Sequence, residues 1–395
     1  MKYKDKEYGA MNEKKSGFTR REFIASAAAG VAIATLPSFG APQRKGGKSS
    51  YFVSVLGDTH YDTEPESVYH SKYDYNNRWA KVVKDEFYRN GVMWREFCPS
   101  LMNASAKIAE KRKPDFILQV GDLIQGDCGD PVVHKKMLDD CIKKLTAYYK
   151  RPYPFLTVIG NHDFRGKGAR KAYFEYMNPY NDKEIEKITG VKPEKARYPV
   201  FSFRHNGDLW VFCDFETKAI DKISEIIEGA DDARHVFLVT HGPFVLCPSA
   251  SPYAWRLAGR YVSEESRKRL YIALSRRHAI VLSGHIHTTT YYRIENEYGG
   301  FTEASVSSVY SSKRRETAEP IFNKVEDYKL KGKMGQAEVA LFKSGMKEFY
   351  HSIGSGHYRL YVTDGGVALE FYPGSSEKPA KTFIMKKTAG GRKGA

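Results

Sequence analysis

The sequence is poor in cysteine, with five in 395 residues and no CxxC pair among them. This spacing excludes a zinc knuckle. No apolar run approaches the roughly 20 residues that a membrane-spanning helix needs, which predicts no transmembrane span in the mature protein. The basic residues are dispersed, without the repeated pattern of arginine and aromatic side chains that marks a nucleic-acid surface. We therefore predict no specific nucleic-acid partner.

The composition is otherwise that of a folded chain. Hydrophobic residues make up 41% and aromatic residues 13%, which excludes a disordered protein and is enough for one large core or a domain with an appendage. Lysine and arginine outnumber aspartate and glutamate by 63 to 47, giving a formal charge of +16. A basic surface suits an anionic substrate, nucleic acid or anionic lipid, and the charge does not choose among them.

The N-terminus resembles a twin-arginine export signal. Residues 19–24 read TRREFI, with Arg20 and Arg21 as the pair, and the uncharged run Ala25–Leu36 follows. This run lacks the polar face of an ordinary amphipathic helix, which is the alternative interpretation. We predict a signal peptide at 1–40 and a linker at 41–50. The resemblance implies recognition by the twin-arginine export machinery and a periplasmic or secreted bacterial protein.

Apolar strands alternate with helical patterns along the chain. Short β-rich runs occupy 51–56, 115–120, 155–159, 235–240 and 279–283, and helices are predicted over 92–113, 132–149 and 263–277. Such alternation indicates an α/β layer fold. In these folds, ligands bind at one edge of the sheet, where the loops emerge from the strand ends.

A polar cluster follows each of the five runs. The clusters are Gly57-Asp58-Thr59-His60, Gly121-Asp122, Gly160-Asn161-His162-Asp163, His241-Gly242-Pro243 and Gly284-His285-Ile286-His287. Any one of them is a commonplace turn or a hydrogen-bonded core residue. Five in order, each after a strand, favour a single shared site.

The side chains of these clusters are typical metal ligands. Two aspartates, one asparagine and four histidines are hard-to-borderline donors, which suit a pair of ions such as Mn, Fe or Zn. No cysteine stands among them, which argues against a structural zinc or an iron–sulfur centre. Asp58 with His60, and His285 with His287, are spaced i and i+2. On extended backbone such residues point the same way, so each pair is expected to face one cation.

The combined pattern DxH, GD, GNH[DE], H and GHxH resembles the calcineurin-like metallophosphoesterase superfamily over about residues 51–290. The resemblance implies a four-layer α/β/β/α sandwich with two metals bridged by Asp122. It places Asp58, His60 and His287 on one metal, and Asn161, His241 and His285 on the other. It further implies attack on phosphorus by a metal-bridging hydroxide, with His162 assisting the leaving oxygen.

The sequence departs from the family pattern at two positions of the second block. The family commonly has GDxxxxG, and Gly126 comes one place early here. The family often has an aspartate three residues after the metal-bridging aspartate, where it orients the catalytic histidine. Gln125 occupies this position here. Asp163 and Asp127 are both candidates for the orienting role, and we include Asp163 among the predicted catalytic residues.

Three residues are predicted to contact substrate. Arg165 follows the GNHD block and suits a phosphate, with a solvated loop arginine as the alternative. Trp255 and Arg256 lie in the loop after His241 and suit a ring plus a phosphate, with ordinary loop packing as the alternative.

The C-terminal third is β-rich. Strands are predicted at 301–309, 337–342, 358–362 and 367–372, the last two joined by the turn signal Thr363-Asp364-Gly365-Gly366. We assign 51–295 to the phosphoesterase domain and 296–375 to a region that completes the sandwich or is appended to it. Residues 376–395 are predicted to form a basic flexible tail.

These features predict an exported, dinuclear-metal phosphoesterase that hydrolyses a phosphate monoester, diester or pyrophosphate in a small phosphorylated substrate. The alternative is a metal-containing protein that binds an anionic ligand without turnover. The presence of His162 argues against it, because a binding protein needs no leaving-group acid.

Overall fold

The computed structural model describes residues 50–62, 92–126, 130–193, 197–215, 217–245, 256–257, 262–309, 316–329 and 335–387. The predicted signal peptide and nearly all of the linker lie outside the described residues. The chain divides into two units, 1–42 and 43–395, and every element below belongs to the second. Among the described residues, no helix combines the length and apolar character needed to cross a membrane.

Six strands form the first sheet: β1 (Ser50–Leu56), β2 (Phe116–Gln119), β3 (Phe155–Thr157), β11 (Gly356–Thr363), β12 (Gly366–Pro373) and β13 (Lys381–Lys387). They lie in the order β13-β12-β11-β1-β2-β3. The strands β1, β2 and β3 are parallel, so their carboxyl ends reach the same edge.

Seven strands form the second sheet: β4 (Val200–His205), β5 (Asp208–Cys213), β6 (Val236–Val239), β7 (Ile280–Ser283), β8 (Thr289–Asn296), β9 (Gly299–Ser305) and β10 (Met346–Ser352). Their order is β10-β8-β9-β7-β6-β5-β4. The central strands β5, β6, β7 and β9 are parallel.

Helices cover the outer faces of both sheets. They are α1 (Cys98–Arg112), α2 (Pro131–Thr146), α3 (Ala169–Thr189), α4 (Ile220–Glu228), α5 (Glu264–Arg276) and α6 (Gln336–Gly345). Alternate residues of β6 show the layering. Phe237 and Val239 belong to the core that also contains the first sheet, whereas Val236 and Leu238 pack with residues of α4 and α5. This arrangement confirms the predicted α/β/β/α sandwich.

Local signals fix the ends of several helices. The Ser263 hydroxyl accepts a hydrogen bond from Ser266 N at 3.1 Å and caps α5, with two glutamates in the first turn, as predicted. Asp130 caps α2 in the same way and Pro131 follows it, a combination that starts a helix because proline lacks the amide hydrogen that would be unpaired there.

Two C-terminal predictions are wrong. Residues 337–342 lie in α6 rather than in a strand, because Val339 and Phe342, spaced i and i+3, face the core. The predicted flexible tail contains β13, which pairs antiparallel with β12. Phe383 and Met385 alternate along it and are buried, so the strand is fixed by its apolar face. The region 296–375 contributes strands to both sheets, and β11 lies between β1 and β12.

Candidate metal centre

The five polar clusters lie at the carboxyl ends of parallel strands from both sheets, and they meet. The amides of Thr59 and His60 donate to the carbonyl of Asp122 at 3.0 and 2.9 Å, which joins the loops after β1 and β2. The amide of Gly284 donates to the carbonyl of His241 at 2.9 Å, which joins the loops after β6 and β7. The His285 amide donates to Asp58 Oδ1 at 3.0 Å and so connects the two sheets.

One group of potential ligands contains Asp58, His60 and His287. His287 Nε2 is 2.9 Å from Asp58 Oδ2 and 2.9 Å from His60 Nε2. Asp58 is fully buried and His60 is 1% exposed, so solvent does not compete for their ligand atoms.

A second group contains Asp122, His241 and His285. His241 Nε2 is 3.1 Å from Asp122 Oδ2, 3.1 Å from His285 Nδ1 and 3.2 Å from Asn161 Oδ1. Asp122 Oδ2 also lies 3.7 Å from His60 Nε2. Asp122 therefore stands between the two groups.

The backbone of the site is unusual. His60, Asp122, His285 and His287 all have positive φ angles, of 41°, 52°, 70° and 50°. Such left-handed conformations are uncommon outside glycine and concentrate at functional sites. They also correct the prediction from i, i+2 spacing. Since the backbone of His285 and His287 is not extended, their side chains join different groups rather than facing one cation.

Two glycines allow the loops to approach each other. A Cβ atom at Gly160 would lie 2.0 Å from Asp122 Oδ1, and one at Gly284 would lie 2.5 Å from Asp58 Oδ1. Each glycine therefore makes space for a carboxylate that comes from another loop. This explains why the metal-ligand side chains stand beside glycine in the sequence.

Burial and mutual charge shift the pKa values of the candidate ligands. Burial opposes ionisation of Asp58 and Asp122, yet the neighbouring histidines hold the pKa of both carboxyls well below its usual value. Against burial, these carboxylates raise the pKa of His241 to about 9. Burial, together with the charge on His241, lowers the pKa of His285 to about 3. Buried carboxylates need paired charge or a metal.

A hydrogen bond on the far side of the ring orients His241. His241 Nδ1 donates to the Val120 carbonyl at 2.8 Å, which leaves Nε2 as the atom that faces Asp122. A histidine that ligates a metal commonly donates its other ring N–H to such a partner. The donor set and this orientation fit a metal site.

His162 is oriented by a backbone group. Its Nδ1 donates to the carbonyl of Gln125 at 3.1 Å, and its Nε2 lies 4.0 Å from Asp122 Oδ2. Asp163 instead accepts from the amides of Gly160 and Ile124, at 2.8 and 3.1 Å. Asp163 is fully buried, and burial, with the charge on Asp122, raises its pKa to about 7. Asp163 thus holds the loops together, and Asp127 lies outside the described residues.

The predicted substrate residues have different surroundings. Arg165 is half-buried, and its charge adds to the effect of burial in lowering the pKa of His162. Arg256 is 5% exposed and forms an ion pair with Glu338 of α6, which favours packing over substrate contact. Trp255 lies outside the described residues.

Two neighbours of the site were not predicted from the sequence. Gln119, inside the apolar run of β2, donates to the carbonyls of Gly57 and Gly121 at 3.2 and 2.6 Å. Phe215 follows β5, and its ring centre lies 5.5 Å from that of His241 and 4.9 Å from that of His285. An amide within a buried strand was a usable signal for Gln119, whereas nothing local marks Phe215.

The fold is similar to that of known structures. The chain is similar in structure to purple acid phosphatase PPD1 from yellow lupin (Lupinus luteus) seeds, with 14% identity and a TM-score of 0.50 over 87% of this chain and 54% of that one. It is also similar to PhoD, with 10% identity and a TM-score of 0.49 over 87% of this chain and 70% of that one. The lupin likeness supports the fold alone. No curated protein matches the chain.

The sequence also matches a family model, and the match spans residues 53–289 of the 395. This span includes all five polar clusters and more than half of the chain. The members of this family are metal-dependent phosphoesterases with a dinuclear metal centre, in agreement with the groups of histidine and aspartate described above. The chain therefore belongs to the calcineurin-like phosphoesterase family.

Proposed function

We propose that this protein is an exported hydrolase that cleaves a phosphate monoester, diester or pyrophosphate at a site with two metal ions. The position of Asp122 carries the proposal. Its Oδ2 atom lies 3.1 Å from His241 Nε2 in one ligand group and 3.7 Å from His60 Nε2 in the other, as a carboxylate shared by two ions requires.

Each ion has its own set of ligands in this proposal. Asp58, His60 and His287 would hold one ion, Asn161, His241 and His285 would hold the other, and Asp122, which stands between the two groups, would be shared by both. Two such ions, whether Mn, Fe or Zn, would lower the pKa of bound water and polarise the phosphoryl group.

His162 acts on the leaving group. Because Nδ1 is bonded to the Gln125 carbonyl, Nε2 is the ring atom available on the Asp122 side. In the imidazolium form both ring nitrogens carry a proton, so Nδ1 keeps its bond to the Gln125 carbonyl while Nε2 donates its proton to the leaving oxygen as the ester bond breaks. Its 7% exposure keeps bulk water from competing for that proton.

Arg165 is the proposed substrate contact. Its effect on the pKa of His162 supports a position beside the leaving group, where a guanidinium would pair with phosphate. The substrate class is a small phosphorylated molecule.

The proposal that the protein is exported rests on the sequence of residues 19–36. A substitution of both Arg20 and Arg21 by lysine is expected to retain the precursor in the cytoplasm of a bacterial host. Fractionation and immunoblotting measure this, and normal export of the variant would contradict the proposal.

The hydrolytic function is tested with purified full chain, stripped of metal and reconstituted with Mn²⁺. Turnover of an aryl phosphate, its diester and a dinucleotide pyrophosphate is measured in parallel. We expect metal-dependent turnover of at least one class and loss of it on chelation. Binding of two ions without turnover of any class would favour the anion-binding alternative.

A further inference from the structure

Glu303 is a buried carboxylate outside the ligand groups. It lies on β9, pairs with Val281 of β7 in the sheet register and is fully buried. Burial raises its pKa to about 7, against the effect of the hydrogen bonds that it accepts. Burying a carboxyl group in the centre of a sheet costs free energy unless hydrogen bonds satisfy its oxygens.

Both oxygens of Glu303 hold the loop that follows His241. Oε1 accepts from the amide of Phe244 at 2.9 Å, and Oε2 accepts from the amide of Val245 at 2.7 Å. These amides are three and four residues beyond His241 and are part of a buried segment. One carboxylate therefore fixes the direction in which the chain leaves the metal centre.

Glu303 also reaches the loop that carries His285. The Ser283 hydroxyl, two residues before His285, donates to Glu303 Oε1 at 3.1 Å and lies 2.7 Å from the Ser305 hydroxyl. The His241 and His285 loops are joined directly by the bond from Gly284 N to His241 O. Glu303 therefore contacts both the segment that follows His241 and the residue two positions before His285.

We propose that Glu303 is a positioning residue that sets the spacing of His241 and His285, and with it the affinity of one of the two metal ions. The proposal rests on the function proposed above. A carboxylate is needed because two backbone amides, at 2.9 and 2.7 Å from different oxygens, both donate. The Asp58, His60 and His287 group has no direct bond to Glu303 among the described residues and is coupled to it only through the His285 amide, so its ion should be affected much less.

The test compares Glu303→Ala with the control Thr302→Val in the full chain. Thr302 is the preceding residue, and its hydroxyl donates to the Met385 carbonyl at 2.7 Å, away from both histidine loops. Metal-free proteins are titrated with Mn²⁺ by calorimetry. We expect one of two dissociation constants to rise about 10–100-fold in Glu303→Ala, in the range seen for residues that support metal ligands. Both constants should be unchanged in Thr302→Val.

Two further variants keep the result interpretable. Glu303→Gln retains one acceptor oxygen and the side-chain shape, so it should fold and give a smaller loss than alanine. In a His285→Ala background, where the affected ion has already lost a ligand, Glu303→Ala should add little. Unchanged constants in a folded Glu303 variant, or an equal loss in Thr302→Val, would overturn the proposal. Absence of two-ion binding in the unaltered chain would instead contradict the proposed function.

Discussion

Gly160 shows how closely the loops of the metal centre approach one another. A methyl group there would lie 2.0 Å from a carboxylate oxygen of Asp122 and 2.2 Å from its amide nitrogen, distances that a real side chain does not reach. Displacement of Asp122 would disturb both ligand groups at once, because this carboxylate stands between them.

Gly160→Ala is accordingly expected to reduce turnover by roughly 10²-fold or more, the scale of an ångström-sized misplacement in an active site. Metal content by elemental analysis should fall with it. Gly365→Ala is the matched control, since its nearest neighbour is the Thr363 hydroxyl at 3.6 Å. Full activity in Gly160→Ala would show that the Asp122 loop can move without loss.

His162→Ala is expected to retain both ions and to lose turnover by about 10²–10⁴-fold, the usual contribution of a general acid. Metal content and kcat are measured on the same preparation. An exposed histidine, His278, provides the control, and His278→Ala should behave as the unaltered chain. Normal turnover in His162→Ala would remove this residue from the mechanism.

The edge strand β13 lies in a polar C-terminal segment, where the sequence predicts a flexible tail. Phe383 is 3% exposed, with its ring stacked on Tyr291 at 5.0 Å and against Tyr350 at 5.0 Å. The next residue, Ile384, is 41% exposed. Two adjacent apolar residues therefore differ in burial because side chains alternate across a strand.

Phe383→Ala is expected to lower the free energy of unfolding by about 3 kcal/mol, as for other buried aromatic truncations. Ile384→Ala should change it by less than about 1 kcal/mol, in the range of surface substitutions. Urea denaturation followed by circular dichroism measures both. Equal effects of the two substitutions would mean that residues 381–387 do not form a strand.

The secondary-structure elements that the sequence predicts correctly are those with a strong hydrophobic periodicity and a clear signal at their boundary. The five buried runs before the polar clusters are strands, and the capping serine of α5 was identifiable from Ser263 with two glutamates after it. The failure at 337–342 came from an apolar alternation at Ala337, Val339 and Leu341, which a strand and a short helix share. Only tertiary packing of Val339 and Phe342 separates the two.

The same limit applies to the metal centre. Its ligand side chains could be found because polar residues after buried strands are conspicuous. The left-handed backbone at His285 and His287 could not be anticipated, and neither could the approach of Phe215 or Glu303, because these arise from packing between distant segments.

The molecule as a whole gathers its ligands from loops of both sheets, so metal binding should stabilise the entire sandwich. The Asp58 and Asp122 carboxyls ionise readily despite complete or nearly complete burial, and a bound cation offsets the resulting cost. Binding to the native state alone contributes about 2.7 kcal/mol per site when the free ligand concentration is about 100 times the dissociation constant.

We therefore expect chelation to lower the melting temperature by several degrees and added Mn²⁺ to restore it, as monitored by calorimetry. His285→Ala, which removes one ligand, should reduce the size of the shift. A melting temperature that does not change on chelation would argue against ions bound within the folded core.

The hydrogen bond from His162 to the Gln125 carbonyl has an evolutionary consequence. A main-chain oxygen is present whatever residue the gene encodes, so codon 125 is released from supplying an acid to the His162 imidazole. Searches that demand aspartate there would discard this protein and any relatives that share the solution. The side chain at position 125 therefore need not be acidic for His162 to keep this orientation.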